Sequence, residues 1–250
     1  MTLTFRPLAL AGALALLTAS TMEASQFTVN PTRIELSGRA ASALVAVRND
    51  GTAPIRLQLK THAWAQTPEG QMTLSPTEDV VVFPTMVTLA PGEERKIRVA
   101  VTAAVTDVER TYRVFLEELP AAPTEATGAA VQMLTRVGIP VFLQAATPAS
   151  RAGLSQVGLE KGTLHFQIDN LGNTHIIPSQ IRVRAFSATG QPVTDKSADG
   201  WYILGRTARR YDLVFGSEDC ARIRSLLIEV EVGNTPLKGR LETPVGTCAS

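Results

Sequence analysis

Short runs in which every second residue is apolar recur along nearly the whole sequence, and turn residues break each run before it grows long. Phe27 and Val29 alternate, then Ile34 and Leu36, Ala43, Val45 and Val47, Ile55, Leu57 and Leu59, and Ile97, Val99 and Val101. A repeat of two puts these side chains on one face of an extended strand. The separators are turn-forming: Asn49-Asp50-Gly51, Pro68-Glu69-Gly70 and Leu89-Ala90-Pro91-Gly92. Val80–Phe83 is a short apolar run, and Tyr112–Leu119 reads as one more strand. Pro31 interrupts the first alternation, which suggests an edge strand or a strand that passes between sheets. No helical repeat lies between these runs.

The second half has the same pattern. Leu164, Phe166 and Ile168 alternate, then Asn170-Leu171-Gly172-Asn173 makes a turn; Ile181, Val183 and Ala185 follow, then Tyr211, Leu213 and Phe215, and Ile228, Val230 and Val232. The small, proline-containing stretch Ala145–Ser150 reads as a linker. The 250 residues suit two domains, each large enough for a core. The expected boundaries are 25–146 and 147–250. About seven short strands before Thr147 fit an immunoglobulin-like sandwich. It lacks the paired cysteines of antibody domains, so its core must hold without a bridge. The expected class is all-β, with two immunoglobulin-like sandwiches.

Residues 1–24 read as a secretory leader. Arg6 precedes the apolar run Leu8–Leu17, and small residues follow, with Ala24 or Ser20 ending the leader. No later stretch is long and apolar enough for a span, so the protein is not expected to be membrane-embedded. An exported chain with two cysteines, Cys220 and Cys248, suggests one bridge inside the second domain, against the alternative of two free thiols. Formal net charge is +1, which gives no basic field for nucleic acid.

One stretch stands apart, Gly128–Leu143. Val131, Met133, Val137, Ile139 and Val141 share a face with Thr135, whereas the opposite face is mixed. It reads either as a half-buried sandwich strand or as a strand whose unpaired backbone another chain can join. The nearly uncharged segment Pro120–Ala130 leads into it and reads as a loop.

Catalytic and metal patterns are missing. His62, His165 and His175 lack metal-like spacing, and there is neither an HExxH, a paired CxxC, nor a GxSxG elbow. His165 reads as a surface or packed residue, and His175 as hydrogen-bonded within its turn. No enzyme activity, metal or cofactor is expected.

Several stretches together resemble the periplasmic pilus-chaperone family. Asn30-Pro-Thr-Arg33-Ile is similar to its first strand, Val47-Arg-Asn49-Asp-Gly51 and Trp64 to its next landmarks, and Phe83–Arg98 to its proline-started strand, Pro-Gly turn and basic strand. Glu118-Leu-Pro120 matches the end of the strand before the loop, whereas the second domain is similar only in size, strand content and the Asn170–His175 turn. The family's second anchoring lysine is absent: the corresponding place reads Gly138-Ile-Pro140-Val-Phe142, and Gln144 stands where a basic residue normally follows. These departures resemble the divergent branch associated with spore-coat-protein-U-like pilus subunits.

The resemblance implies a two-domain, L-shaped chaperone with an inter-domain cleft. It would bind, fold and cap pilus subunits in the periplasm and deliver them to an outer-membrane usher. Subunits lack one strand, and donor-strand complementation, which the family exemplifies, would put Val131, Met133, Val137 and Ile139 into the open groove. Arg33 is the implied anchor for the subunit's terminal carboxylate. Arg136, the nearest cation of suitable parity, is the nominated second anchor, with Arg113 as the alternative. The rival readings are an exported adhesion or structural module and, less favoured, a hydrolase whose residues the sequence does not bring together. Whether the free protein self-associates to hide its strand stays open.

Overall fold

A computed structural model describes residues 26–67, 69–120, 133–233 and 235–243. The expected leader, the loop through Val131, and Cys248 lie outside the described residues. In the first half the alternating runs become ten strands: Phe27–Asn30 (β1), Ile34–Leu36 (β2), Ser42–Asn49 (β3), Ile55–Gln66 (β4), Met72–Pro76 (β5), Val80–Phe83 (β6), Met86–Leu89 (β7), Glu94–Val101 (β8), Arg110–Glu118 (β9) and Arg136–Leu143 (β10). They form two sheets, one ordered β1-β3-β8-β6 and the other β2-β10-β9-β4-β5, with β7 also paired to β4. The chain around Pro31 passes between sheets, since β1 pairs with β3 and β2 runs parallel to β10. Alternate side chains meet between the sheets as one core that includes Val45, Leu57, Leu89, Ile97, Leu116 and Val141.

The second half contributes Ala152–Glu160 (β11), Thr163–Asn170 (β12), Pro178–Phe186 (β13), Pro192–Ala198 (β14), Ala208–Val214 (β15), Ser225–Val232 (β16) and Thr235–Glu242 (β17). Their sheets are ordered β11-β12-β15 and β14-β13-β16-β17, around a separate core that includes Phe166, Ile181, Val183 and Ile228. One short helix, Ser217–Arg222 (α1), escapes the sequence reading because six residues are too few to show a helical repeat. It buries Cys220 at 1% exposure, and no described cysteine is free.

The two asparagine turns use the same device. Asn49 is fully buried; its Nδ2 donates to the Ala53 and Leu89 carbonyls, and its Oδ1 accepts the Gly51 amide. Asn170 donates to the Thr174 and Ile203 carbonyls and accepts the Gly172 amide. Each satisfies backbone groups that a tight turn would otherwise bury unpaired. The Ala90–Glu93 turn closes with a 3.0 Å bond and carries Pro91 before Gly92 at φ +74°, the arrangement of a type II turn.

Candidate functional site

Residues on the outer face of the β2-β10-β9-β4 sheet follow from register. Ile34 lies opposite Val141, and Pro140 lies opposite Arg113 on β9. Ile34 and Leu36 point into the core at 2% exposure, which leaves Arg33 and Glu35 on the outer face, where they pair at 3.0 Å. Neighbouring strands lie about 4.8 Å apart, so Arg33 and Arg113 flank Pro140 with backbones roughly 10 Å from each other.

Arg113 is the unusual member. It is only 6% exposed, and its guanidinium stacks on Trp64 at 4.0 Å, with Tyr202 and Trp201 at 5.8 and 5.9 Å. Its Nη1 donates to the Gly138 carbonyl at 3.3 Å, but Nε and Nη2 are buried without a partner among the described residues. No carboxylate pairs with it among the described residues. Burial draws its pKa below the usual guanidinium value. A buried cation without a counterion is costly, and the vacant donors suit a planar carboxylate.

Arg136, the nominated second anchor, is already paired. It faces Glu117 across the β9–β10 pair at 2.9 Å, and Lys60 holds the same carboxylate at 2.7 Å. The Lys60 hydrogen bond keeps Glu117 below the usual carboxylate range. The Arg136 guanidinium also lies 3.9 Å above Phe115, whose ring leaves no room for a side chain at Gly138. Four residues of strand, about 13 Å, separate Arg136 from Pro140. Like Arg33 with Glu35, it is held in an exposed ion pair, here at the start of β10.

The alternating set on β10 is divided. Ile139 is 1% exposed and fills the chain's own core, contrary to the expectation that it faces a partner's groove. Val137 is half-buried at the rim of that core. Met133 stands clear at 63% exposure, before the strand begins, and Val131 lies outside the described residues. The mixed opposite face is explained as well. Phe142 is fully buried because the second domain covers it, in a small cluster with Trp64 and Leu204. Along its outer edge β10 pairs with β2 only at Val141–Leu143, so Arg136–Pro140 have no strand on that side among the described residues.

Polar contacts lock the domains together beside Arg113. His175 stacks on Phe142 at 3.8 Å, and its Nδ1 and backbone amide both meet the Glu109 carboxylate at 2.8 Å. Its partner is therefore in the first domain rather than in its own turn. Gln66 donates to the Tyr202 carbonyl and accepts the Leu204 amide, and Asn173 donates to the Asp107 and Thr147 carbonyls. His165 pairs with Asp212, and His62 packs edge-on against Phe115. Sequence alone marks Arg113 only as the alternative second anchor and does not single out Trp201. An arginine inside the apolar run Tyr112–Leu116 was the available signal for the first; Trp201 carries none.

Residues 26–148 match the pili and flagellar-assembly chaperone family, PapD N-terminal domain. A search of curated proteins finds no match. Solved structures resemble the chain over most of its length. One belongs to the CsuC–CsuE chaperone–tip adhesion subunit pre-assembly complex from archaic chaperone-usher Csu pili of Acinetobacter baumannii. It is 15% identical with a TM-score of 0.60, covering 85% of this chain and 98% of that one. The Salmonella enterica SafA pilin–SafB chaperone complex gives 12% identity and a TM-score of 0.59, over 88% of this chain and 98% of that one. The E. coli chaperone DraB gives 16% and 0.56, over 89% and 98%. At these identities the shared property is the fold, and it extends through both sandwiches. Residues 26–148 thus form a domain of the pilus-assembly chaperone family, and both sandwiches share the fold of solved pilus chaperones.

Proposed function

We propose that this protein is a periplasmic chaperone that captures pilus subunits of the spore-coat-U-like class by lending them a strand, then passes them to an outer-membrane usher. Residues 25–146 form the capturing domain and 147–250 the second domain, which a Cys220–Cys248 bridge staples. The observation that carries the reading is the outer edge of β10 at Arg136–Pro140, which no strand covers among the described residues. Two of the similar structures are complexes of a chaperone with a pilus subunit or tip subunit, which favours an occupant of that kind.

A subunit strand paired along this edge satisfies backbone groups on both chains. Val131, Met133 and Val137 then enter the subunit's groove, while Ile139 remains in the chaperone's core and holds the strand in place. Met133 and Val137, at about 1.5–3 kcal/mol each if fully buried, supply part of the gain before ordering costs. The subunit's terminal carboxylate meets Arg33 and Arg113, which flank Pro140, with Arg113 replacing Arg136 as the second anchor.

The test is periplasmic co-expression with a spore-coat-U-like subunit that is insoluble alone. Met133→Asp is expected to abolish recovery of soluble subunit without lowering the free chaperone's melting temperature, because it puts an unpaired charge into an apolar groove. Gln132→Asp, at a position of opposite parity in the sequence, is expected to recover near-normal amounts. Full recovery with Met133→Asp contradicts strand lending by this segment, and an adhesion module shows no dependence of subunit recovery on either change.

A further inference from the structure

Arg113, as carboxylate anchor, is reached only past the rings that surround it. Its Nε and Nη2 are closed off from solvent, so a carboxylate reaches them only if a neighbouring side chain gives way. Three rings surround the guanidinium. Trp64 is 3% exposed and packs with Phe142 and Leu204, so displacing it opens a core. Tyr202 is half-buried in the same cluster. Trp201 is 45% exposed and touches Tyr202 edge-on at 5.6 Å. The residue before it, Gly200, is packed against the chain, because the Pro178 carbonyl occupies the space where a Cβ would stand. The Trp201 indole is thus the one cover that can turn aside without breaking a core.

We propose that Trp201 is a specificity-determining residue of the carboxylate site. In the free protein its ring covers Arg113; on capture it packs against the side chain of the residue that bears the terminal carboxylate. That selects subunits ending in an aromatic or large apolar residue over those ending in alanine or glycine. The second domain, which lends no strand, then reads the subunit's last residue. This proposal rests on Arg113 as anchor, and the experiment separates the two.

The probes are short dye-labelled peptides ending in Val-Thr-Val-Tyr or Val-Thr-Val-Ala, each as free acid and as amide, titrated by fluorescence anisotropy. Wild-type protein is expected to bind the tyrosine acid about three- to tenfold tighter than the alanine acid, the range of one aromatic contact. Trp201→Ala is expected to bind the two acids within about twofold of each other while still preferring acid over amide; Trp201→Phe restores most of the preference. Equal binding of the two acids by wild type, or a tyrosine preference that survives in Trp201→Ala, overturns the specificity role alone. Equal binding of acid and amide by wild type, or no binding of any peptide, overturns the anchor and the specificity role together.

Discussion

Replacing Arg113 with methionine should make the free protein slightly more stable and cripple capture. Arginine leaves two buried donors unsatisfied, each worth about 1–3 kcal/mol of lost stability. Against this stand the stacking on Trp64 at 4.0 Å, about 2 kcal/mol when desolvated, and one long bond to the Gly138 carbonyl. Methionine keeps apolar contact with Trp64 and has no donor to leave unpaired. We expect a net gain of about 1 kcal/mol, a rise in melting temperature of roughly 2–4 °C for a protein of this size. Capture is expected to weaken by about 2–5 kcal/mol, because the carboxylate loses a desolvated partner and stays buried. Thermal melts of the free variant, together with recovery of soluble subunit on co-expression, read both quantities. Opposite signs mark a residue kept for binding at a cost in stability. A lower melting temperature with normal recovery refutes the assignment and makes Arg113 a structural residue.

Other expectations concern the neighbouring elements. Arg136→Ala should loosen the start of β10 by less than about 1 kcal/mol, as for other exposed pairs, and leave the discrimination between peptide acid and amide intact; loss of that discrimination would return Arg136 to the role of anchor. Glu117 has a lowered pKa because of Lys60, so the stability it contributes is present above its unfolded value near 4.3 and is lost as pH falls through the lower folded value. Protection of the Val137 amide, taken relative to its intrinsic exchange rate at each pH, should therefore fall in that acidic window, and unchanged protection there would show that the ion pairs do not hold the strand. Cys220→Ser should weaken the second domain by about 3–4 kcal/mol on loop-closure entropy and the first much less; unreduced wild-type protein that shows two free thiols by mass spectrometry contradicts the bridge.

Local periodicity carried the fold a long way, and it failed where partners distant in sequence decide. Alternation of Ile55, Leu57 and Leu59 or of Leu164, Phe166 and Ile168 is enough to place those side chains in a core. The β10 face could not be divided from sequence, because only the pairing with β2 at Val141–Leu143 shows where the chain's own sheet closes and its open edge begins. Arg136 has the right parity and the wrong neighbour: its partner is set by the β9 register, which puts Glu117 directly opposite. Phe142 reads as one apolar residue on a mixed face, since its burial depends on His175, Tyr202 and Leu204 from the other domain. Arg113 draws its meaning from Trp64 and from having no counterion among the described residues. Those are properties of packing, and no spacing within one strand encodes them.

Strand lending is the central claim, and hydrogen exchange along Met133–Ile139 tests it most directly. The amides of this segment should exchange quickly in the free protein wherever the β10 edge is unpaired, and slow by orders of magnitude once a subunit is bound. Protection should stop short of the opposite sheet, leaving the exposed edge at β6 unchanged. A stable, soluble complex in which Met133–Ile139 exchange as fast as in the free protein would contradict the account and place the subunit on another edge.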